Sequence, residues 1–307
     1  MPTITMETTT SPDPADFAGD LVRLNKYLAD RGIASRRKCD EMIAKGKVSV
    51  DGEPVSVLGT KIDPERQSVE VDGVVLKPGT LRKRYYLLNK PRGVICTNEK
   101  REARPRAVDL IGDRDKGRIY TVGRLDEDSQ GLILLTNDGE FTHLVSHPKS
   151  GVPKTYVVKI RGRIESEAVA RLRSGVHLAE GRTAPAAVRI EQRTFTSSTL
   201  RVTLREGKNR EVRRIFASLG FKVTHLRRTH IGPLSDRRLK EGTWRPLTRA
   251  EVAELIAVAS DRKLADEVMS RAASPARPRR GGRPKRSLQP APGKHGARPP
   301  RAKKKRR

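Results

Sequence analysis

Residues 121–141 read TVGRLDEDSQGLILLTNDGEF. The apolar run LILLT (132–136) reads as a strand, and Phe141–Val145 reads as a helix. Between the Gly-Arg-Leu step and that strand lies a polar loop that opens with Asp126. Taken alone, an acid at a strand's edge is an ordinary turn former or helix cap. Its surroundings decide whether it is more.

Outward from this stretch, YYLLNK (85–90), VICT (94–97), YVVKI (156–160) and LRVTL (200–204) also read as strands. Glu165–Arg173 and Asn209–Leu219 read as helices. Strands and helices do not alternate regularly, so residues 84–256 are expected to form an α+β domain on a mixed, mostly antiparallel sheet. The chain contains no GxGxxG, Walker loop, HExxH or CxxC, which leaves nucleotide and metal cofactors without sequence support.

Two further segments carry chemistry-bearing residues. In Lys154-Thr155-Tyr156 a tyrosine opens an apolar strand. In LREGKNREVRRIF (204–216), Val212, Ile215 and Phe216, with Leu219 beyond, mark one buried helical face. Lys208, Arg210, Arg213 and Arg214 surround that face. Gly207, just ahead of the helix, suits receipt of a phosphate. Arg213 falls on the flank beside Phe216, where an arginine reaches inward to a carboxylate.

Residues 21–80 form a separate pattern. Leu24, Tyr27 and Leu28 have helical spacing with Gly32 as a stop. Ser35 reads as an N-cap, and Cys39, Met42 and Ile43 form a second stripe ending before Gly46. Val48 and Val50 lead to the Asp51-Gly52 turn, after which Val55 and Val57 return. Val69–Val71, Asp72-Gly73 and Val74–Leu76 repeat that hairpin design. The polar side of the helices carries Arg23, Lys26, Arg31, Arg36, Arg37, Lys38, Lys45 and Lys47, which Asp30, Asp40 and Glu41 do not balance. That excess favours phosphate contact over a merely solvated face.

The whole chain agrees with this. Its 307 residues hold 65 Lys and Arg against 36 Asp and Glu, a formal charge of +29. Residues 273–307 contribute fourteen bases, seven prolines and no acid. Such a tail cannot bury enough apolar surface to order itself, and it is expected to be disordered, as are residues 1–20. The remaining 272 residues still carry +15, so the body is basic in its own right and a polyanionic partner is expected. No run approaches eighteen apolar residues, which excludes a membrane helix. Residues 1–20 do not read as a secretory signal, and Cys39 and Cys96 offer no disulfide framework. A cytoplasmic protein is expected.

RLNKYLADRGIASRRKCDEMIAKGKVSVDG (23–52) resembles the S4 RNA-binding domain, with its SRR cap, GKV turn and DG hairpin in order. GRLDEDSQGLILLTNDGE, KTYVV, LREGKNREVRRIF and THIGPLSDRRLKEGTWRPL (229–247) together resemble the S4-containing ribosomal-RNA pseudouridine synthases, type A for the small ribosomal subunit, type B for the large one. The resemblance implies that Asp126 is the catalytic aspartate and that Arg213 pairs with it. It further implies that Tyr156 stacks on the uracil and that Arg124 occupies the space left by the flipped nucleotide. Arg23, Lys26, Arg36, Arg37, Lys38, Lys45, Lys47, Lys208 and Arg210 are the expected RNA contacts. No cofactor or metal is implied, and a monomer is. The implied partner is ribosomal RNA or its precursor, with 23S ahead of 16S. Two departures stand out: Glu211 replaces a common Gln, and Ser129-Gln130 replaces a common Thr-Glu. The alternative reading is a non-catalytic, ribosome-associated S4 protein.

Overall fold

The computed structural model describes residues 21–77 and 82–273. The ends expected to be disordered, 1–20 and the tail from 274 onward, lie outside the described residues. In the N-terminal module, Leu24, Tyr27 and Leu28 line one side of helix α1 (Leu24–Asp30). Ser35 caps α2 (Arg36–Ala44), its hydroxyl accepting from the Lys38 N–H at 3.2 Å. Strand β1 (Val22–Arg23) pairs antiparallel with β4 (Lys61–Ile62). Strands β2 (Val48–Val50), β3 (Glu53–Pro54), β5 (Val69–Val71) and β6 (Val74–Val75) form a sheet in the order β3-β2-β5-β6. Both Asp-Gly turns hold two successive residues at positive φ, 53° and 84° at Asp51-Gly52 and 48° and 77° at Asp72-Gly73. That backbone twist matches the twist of the strands they join.

Leu24, Leu28, Cys39, Ile43, Val48, Ile62 and Val69 fill the module's small core. Val57, expected to return with Val55, lies outside it at 70 % exposure. Replacing Ser35 by Ala removes the side-chain cap of α2 and is expected to cost about 1 kcal/mol. The measurement is urea unfolding followed by circular dichroism.

The larger domain has one nine-stranded sheet. Its strands begin with β7 (Tyr85–Lys90), β8 (Tyr120–Val122), β9 (Gln130–Thr136) and β10 (Lys154–Arg161). They continue with β13 (Ala187–Arg193), β14 (Ser197–Leu204), β15 (Val223–Ile231), β16 (Leu234–Ser235) and β17 (Trp244–Pro246). A side hairpin of β11 (His177–Leu178) and β12 (Gly181–Arg182) stands apart. The main order is β13-β14-β10-β15-β9-β7-β17, with β16 on β15 and β8 on β9. Among the described residues one strand pair is parallel: β9 with β15, where Gln130 faces Arg227 and Gly131 faces Arg228.

LILL is a continuous apolar run because helices cover both faces of the sheet. Leu87, Leu132 and Leu134 pack against Phe141 and Val145 of α3 (Gly139–Ser146) and Leu255 and Ala259 of α6 (Arg249–Ser260). Tyr86, Leu88, Ile133 and Leu135 point the other way. They join Val169 and Leu172 of α4 (Ser166–Ser174) and Ile215 and Phe216 of α5 (Glu211–Ser218). Chain order closes with α7 (Arg262–Ala273). The expected end of this domain, residue 256, falls inside α6, whose buried Val258 and Ala259 lie beyond it. The first residue assigned to the tail, Ala273, is the last of α7. No helix among the described residues is long and apolar enough to cross a membrane.

VICT is not a strand. Only Ile95 makes a bridge, to Arg106, and Val94 alone of the four is buried. The buried Lys90 explains the break: its ammonium donates to the Val94 carbonyl at 2.6 Å and to the Pro91 carbonyl at 3.0 Å. Those carbonyls are thereby turned onto a cation rather than onto a neighbouring strand.

Candidate active site

The site forms where three central strands end together. Register places Tyr156 of β10 opposite Arg228 of β15, and Arg228 opposite Gly131 of β9. The approach at Gly131 is close: a Cβ there would lie 2.2 Å from the Arg228 carbonyl oxygen, and its φ of 111° is itself a glycine conformation. The loop 123–130 therefore emerges directly beside Tyr156. Leu125 fastens it to the core, and the buried Ser129 donates its N–H to the Asp126 carbonyl at 3.1 Å.

A cleft of about 120 Å³ results, lined by Arg124, Asp126, Tyr156, Lys208, Arg210 and Glu211, with Lys154 and Arg228 deeper on the strands. Tyr156 lines the cleft and is 8 % exposed. Asp126 keeps 29 % of its side chain exposed, open to a substrate.

The expected pairing of Asp126 with Arg213 is not the one observed. Arg213 Nη2 lies 2.9 Å from Asp128 Oδ2 and donates to Ser129 Oγ at 3.3 Å, while its Nη1 donates to the Val223 carbonyl. These anchors hold it against β15 under the loop, so it meets the loop at Asp128 and does not line the cleft. Arg210 takes the place instead, with Nη1 3.3 Å from Asp126 Oδ2 and Nη2 3.8 Å from Asp128 Oδ2. It precedes α5 in a left-handed conformation, φ 46°, which swings its side chain over the cleft mouth. Backbone strain of this kind persists where the surroundings enforce it.

Charge of both signs is concentrated here. Below the loop, burial pushes the Lys90 ammonium down, opposed by Cys96, Asp126 and Asp128. Burial lowers Lys154 to about 8, with Arg228 adding to the effect. Arg228 is 4 % exposed; its Nε donates to the Leu132 carbonyl at 2.6 Å, and its Nη2 is buried without a partner. Burial and the neighbouring Glu206 raise the Glu211 carboxyl to about 7. Lys90 and Arg228 did not stand out in the sequence. The signal was there for Arg228, since it occupies an inward position of β15.

The candidate RNA contacts divide by location. Lys208 and Arg210 stand exposed at the cleft. Arg23, Arg36, Arg37, Lys38, Lys45 and Lys47 are exposed on the N-terminal module. Lys38 pairs with Glu41 at 2.9 Å and Lys47 with Asp72 at 3.0 Å. Lys26 points across to the larger domain and pairs with Glu140 at 2.8 Å. It and Arg36 line a cavity of about 620 Å³ with Arg118, Tyr120 and His143.

Comparison with known proteins gives a consistent result. The family model described as RNA pseudouridylate synthase matches residues 84–218, and that described as S4 domain matches residues 22–68. The chain is 42 % identical over 243 residues to ribosomal large subunit pseudouridine synthase B of Bacillus subtilis, covering 78 % of this chain and 98 % of that protein. It is 39 % identical over 235 residues to an uncharacterized RNA pseudouridine synthase of Aquifex aeolicus, covering 76 % and 93 % respectively. A crystal structure of a pseudouridylate synthase superposes with a TM-score of 0.56 at 32 % identity, over 76 % of this chain and 99 % of that one.

Proposed function

Since the chain belongs to the RNA pseudouridylate synthase family and carries an S4 domain, we propose that it isomerises one uridine of 23S rRNA, with Asp126 as the catalytic carboxylate. The choice of 23S rests on the Bacillus relative, whose name assigns it to the large subunit, and which matches over nearly its whole length. The observation that carries the site assignment is the convergence of Asp126, Arg210 and Tyr156 in one cleft.

The reaction needs no external reactant. The N1–C1′ bond breaks, the uracil turns, C5 bonds to C1′, the C5 proton leaves and N1 takes one up. Ionised Asp126 either attacks C1′ or removes the C2′ proton, and both routes require a charged carboxylate. Arg210 supplies the facing charge from above, and Lys90 supplies it from below the loop.

Tyr156 offers its ring to the base, a contact worth roughly 1–3 kcal/mol, comparable with the few kcal/mol that extrusion of a base costs. Arg124, exposed at the rim, fills the gap in the RNA stack. Arg213 takes a supporting role, tying the loop to α5 through Asp128 and Ser129. The bases of the N-terminal module and Lys208 bind phosphates around the target.

The test is site-resolved pseudouridine mapping of 16S and 23S rRNA from cells with and without the gene, with Asp126→Asn complementation as control. Loss of one 23S pseudouridine is expected. A lost 16S site moves the substrate, and identical maps move the chain to the ribosome-binding reading.

A further inference from the structure

Two carboxyls beside the cleft are left over by the reaction. Glu211 is 5 % exposed, and the charge of the neighbouring Glu206 adds to burial in pushing its carboxyl up. Glu206 is only partly supplied as an anion, because its buried Oε2 receives no hydrogen bond. Its Oε1 accepts from the Ala184 N–H at 2.6 Å, and Lys208 Nζ stands 2.6 Å from its Oε2. Glu211 is supplied still less: Oε2 accepts only a long bond, 3.3 Å, from the Lys208 N–H, and Oε1 too is buried without a donor. Two neighbouring ionised carboxylates leave both of these oxygens unsatisfied, whereas one proton between them satisfies both.

We propose that Glu211 and Glu206 share one proton, and that the resulting carboxyl–carboxylate bond fastens the Lys208–Arg210 turn so that Arg210 lies over Asp126. The turn is bound to Glu211 from both sides, since the Glu211 N–H also donates to the Lys208 carbonyl at 3.2 Å. Arg210 sits inside this ring of contacts in its left-handed conformation. Loss of the proton sets two carboxylates against each other and releases the turn. Glu211 is thus a positioning residue, and its link to turnover rests on the synthase reading through Arg210 and Asp126.

The other charges around Glu211 do not remove the need for the proton. Lys154 and Arg228 face it from the strands, Lys208 and Arg210 from the turn, and Asp126 lies across the cleft. Arg214, on the same helix, is engaged by Glu180 at 2.5 Å. Burial and the Glu206 charge outweigh these cations. From the ordinary glutamate range up to about 7, the folded chain keeps a proton that the unfolded chain has lost. Stability therefore falls as pH rises through that window, and Glu211→Gln removes the slope.

Two measurements test the pair. In protein labelled with 13C at glutamate Cδ, NMR should show one carboxyl titrating near neutral pH, and that resonance should be missing from Glu211→Gln. Absence of any glutamate titrating between about pH 6 and 8 overturns the shared proton. Turnover is read by tritium release from [5-3H]uridine-labelled rRNA across the same range. The wild type should lose roughly 20-fold between pH 6.5 and 8.5, as loss of one essential proton requires. Glu211→Gln, whose amide still donates to Glu206, should flatten that fall, and Glu206→Gln, which leaves a single carboxyl, should do likewise. A fall that persists in both variants overturns the positioning role. A titrating resonance in a wild type without turnover at any pH supports the pair and rejects the synthase reading.

Discussion

Asp126→Asn is expected to abolish conversion of uridine while RNA binding stays within about threefold of wild type. The amide has nearly the shape of the carboxylate, so the loop held by Leu125 and Ser129 keeps its course. What is lost is the charge. An amide neither attacks C1′ nor takes a proton from C2′, and the loss in turnover should be on the order of 10⁴-fold or more, as for other catalytic carboxylates. Binding is governed by phosphates meeting a basic surface. Removing one negative charge from a cleft lined by Arg210, Arg228 and Lys208 therefore leaves affinity equal or slightly higher. Tritium release and filter binding on the same RNA separate the two effects. Retained turnover would remove Asp126 from the chemistry, and collapse of binding with turnover would make it a structural residue.

Gly131→Ala has the largest expected effect on folding. The new methyl would lie 2.2 Å from the Arg228 carbonyl oxygen and 2.6 Å from its nitrogen, both backbone atoms that cannot swing aside. The φ of 111° adds a conformational penalty of order 1–3 kcal/mol. Strand separation must follow, and it breaks the β9–β15 pairing that sets the Asp126 loop beside Tyr156. A loss of several kcal/mol is expected, comparable with other severe strain mechanisms. Urea unfolding of Gly131→Ala beside Gly207→Ala gives the contrast, since nothing lies within 4 Å of a Cβ at Gly207. Equal stability of the two would mean that β9 and β15 are not held as described.

Much of this fold was legible because local chemistry and burial agree. Ser35 caps a helix whose stripe is Cys39 and Ile43, and the Asp-Gly pairs turn hairpins whose valines alternate. YYLLNK is a strand along its full length. The bounds of α5 drew in from 209–219 to Glu211–Ser218 because Arg210 takes a left-handed conformation that no propensity signals. VICT has the composition of a strand but bridges only at Ile95, its Val94 carbonyl taken by a buried lysine, a tertiary effect.

The site shows the same division. Residue types and their order pointed to Asp126, Tyr156 and the basic α5 segment. Which arginine reaches the aspartate depends on side-chain anchors at Val223 and Ser129, the second of them far away in sequence. Lys90 and Arg228 are buried charges whose partners are main-chain carbonyls, and such partners leave no trace in a side-chain pattern.

The parallel pairing of β9 with β15 has a consequence for how the enzyme comes to exist. It is a seam two residue pairs long between two antiparallel blocks, β9-β7-β17 on one side and β13-β14-β10-β15 on the other. The seam joins residues almost a hundred positions apart, and the β7–β17 ladder joins residues farther apart still. Contacts of such wide separation form late, because loop closure must precede their reward. Asp126 belongs to one block and Tyr156 to the other. A nascent or partly opened chain therefore holds both halves of the proposed site without joining them, and the site is complete only when this seam closes.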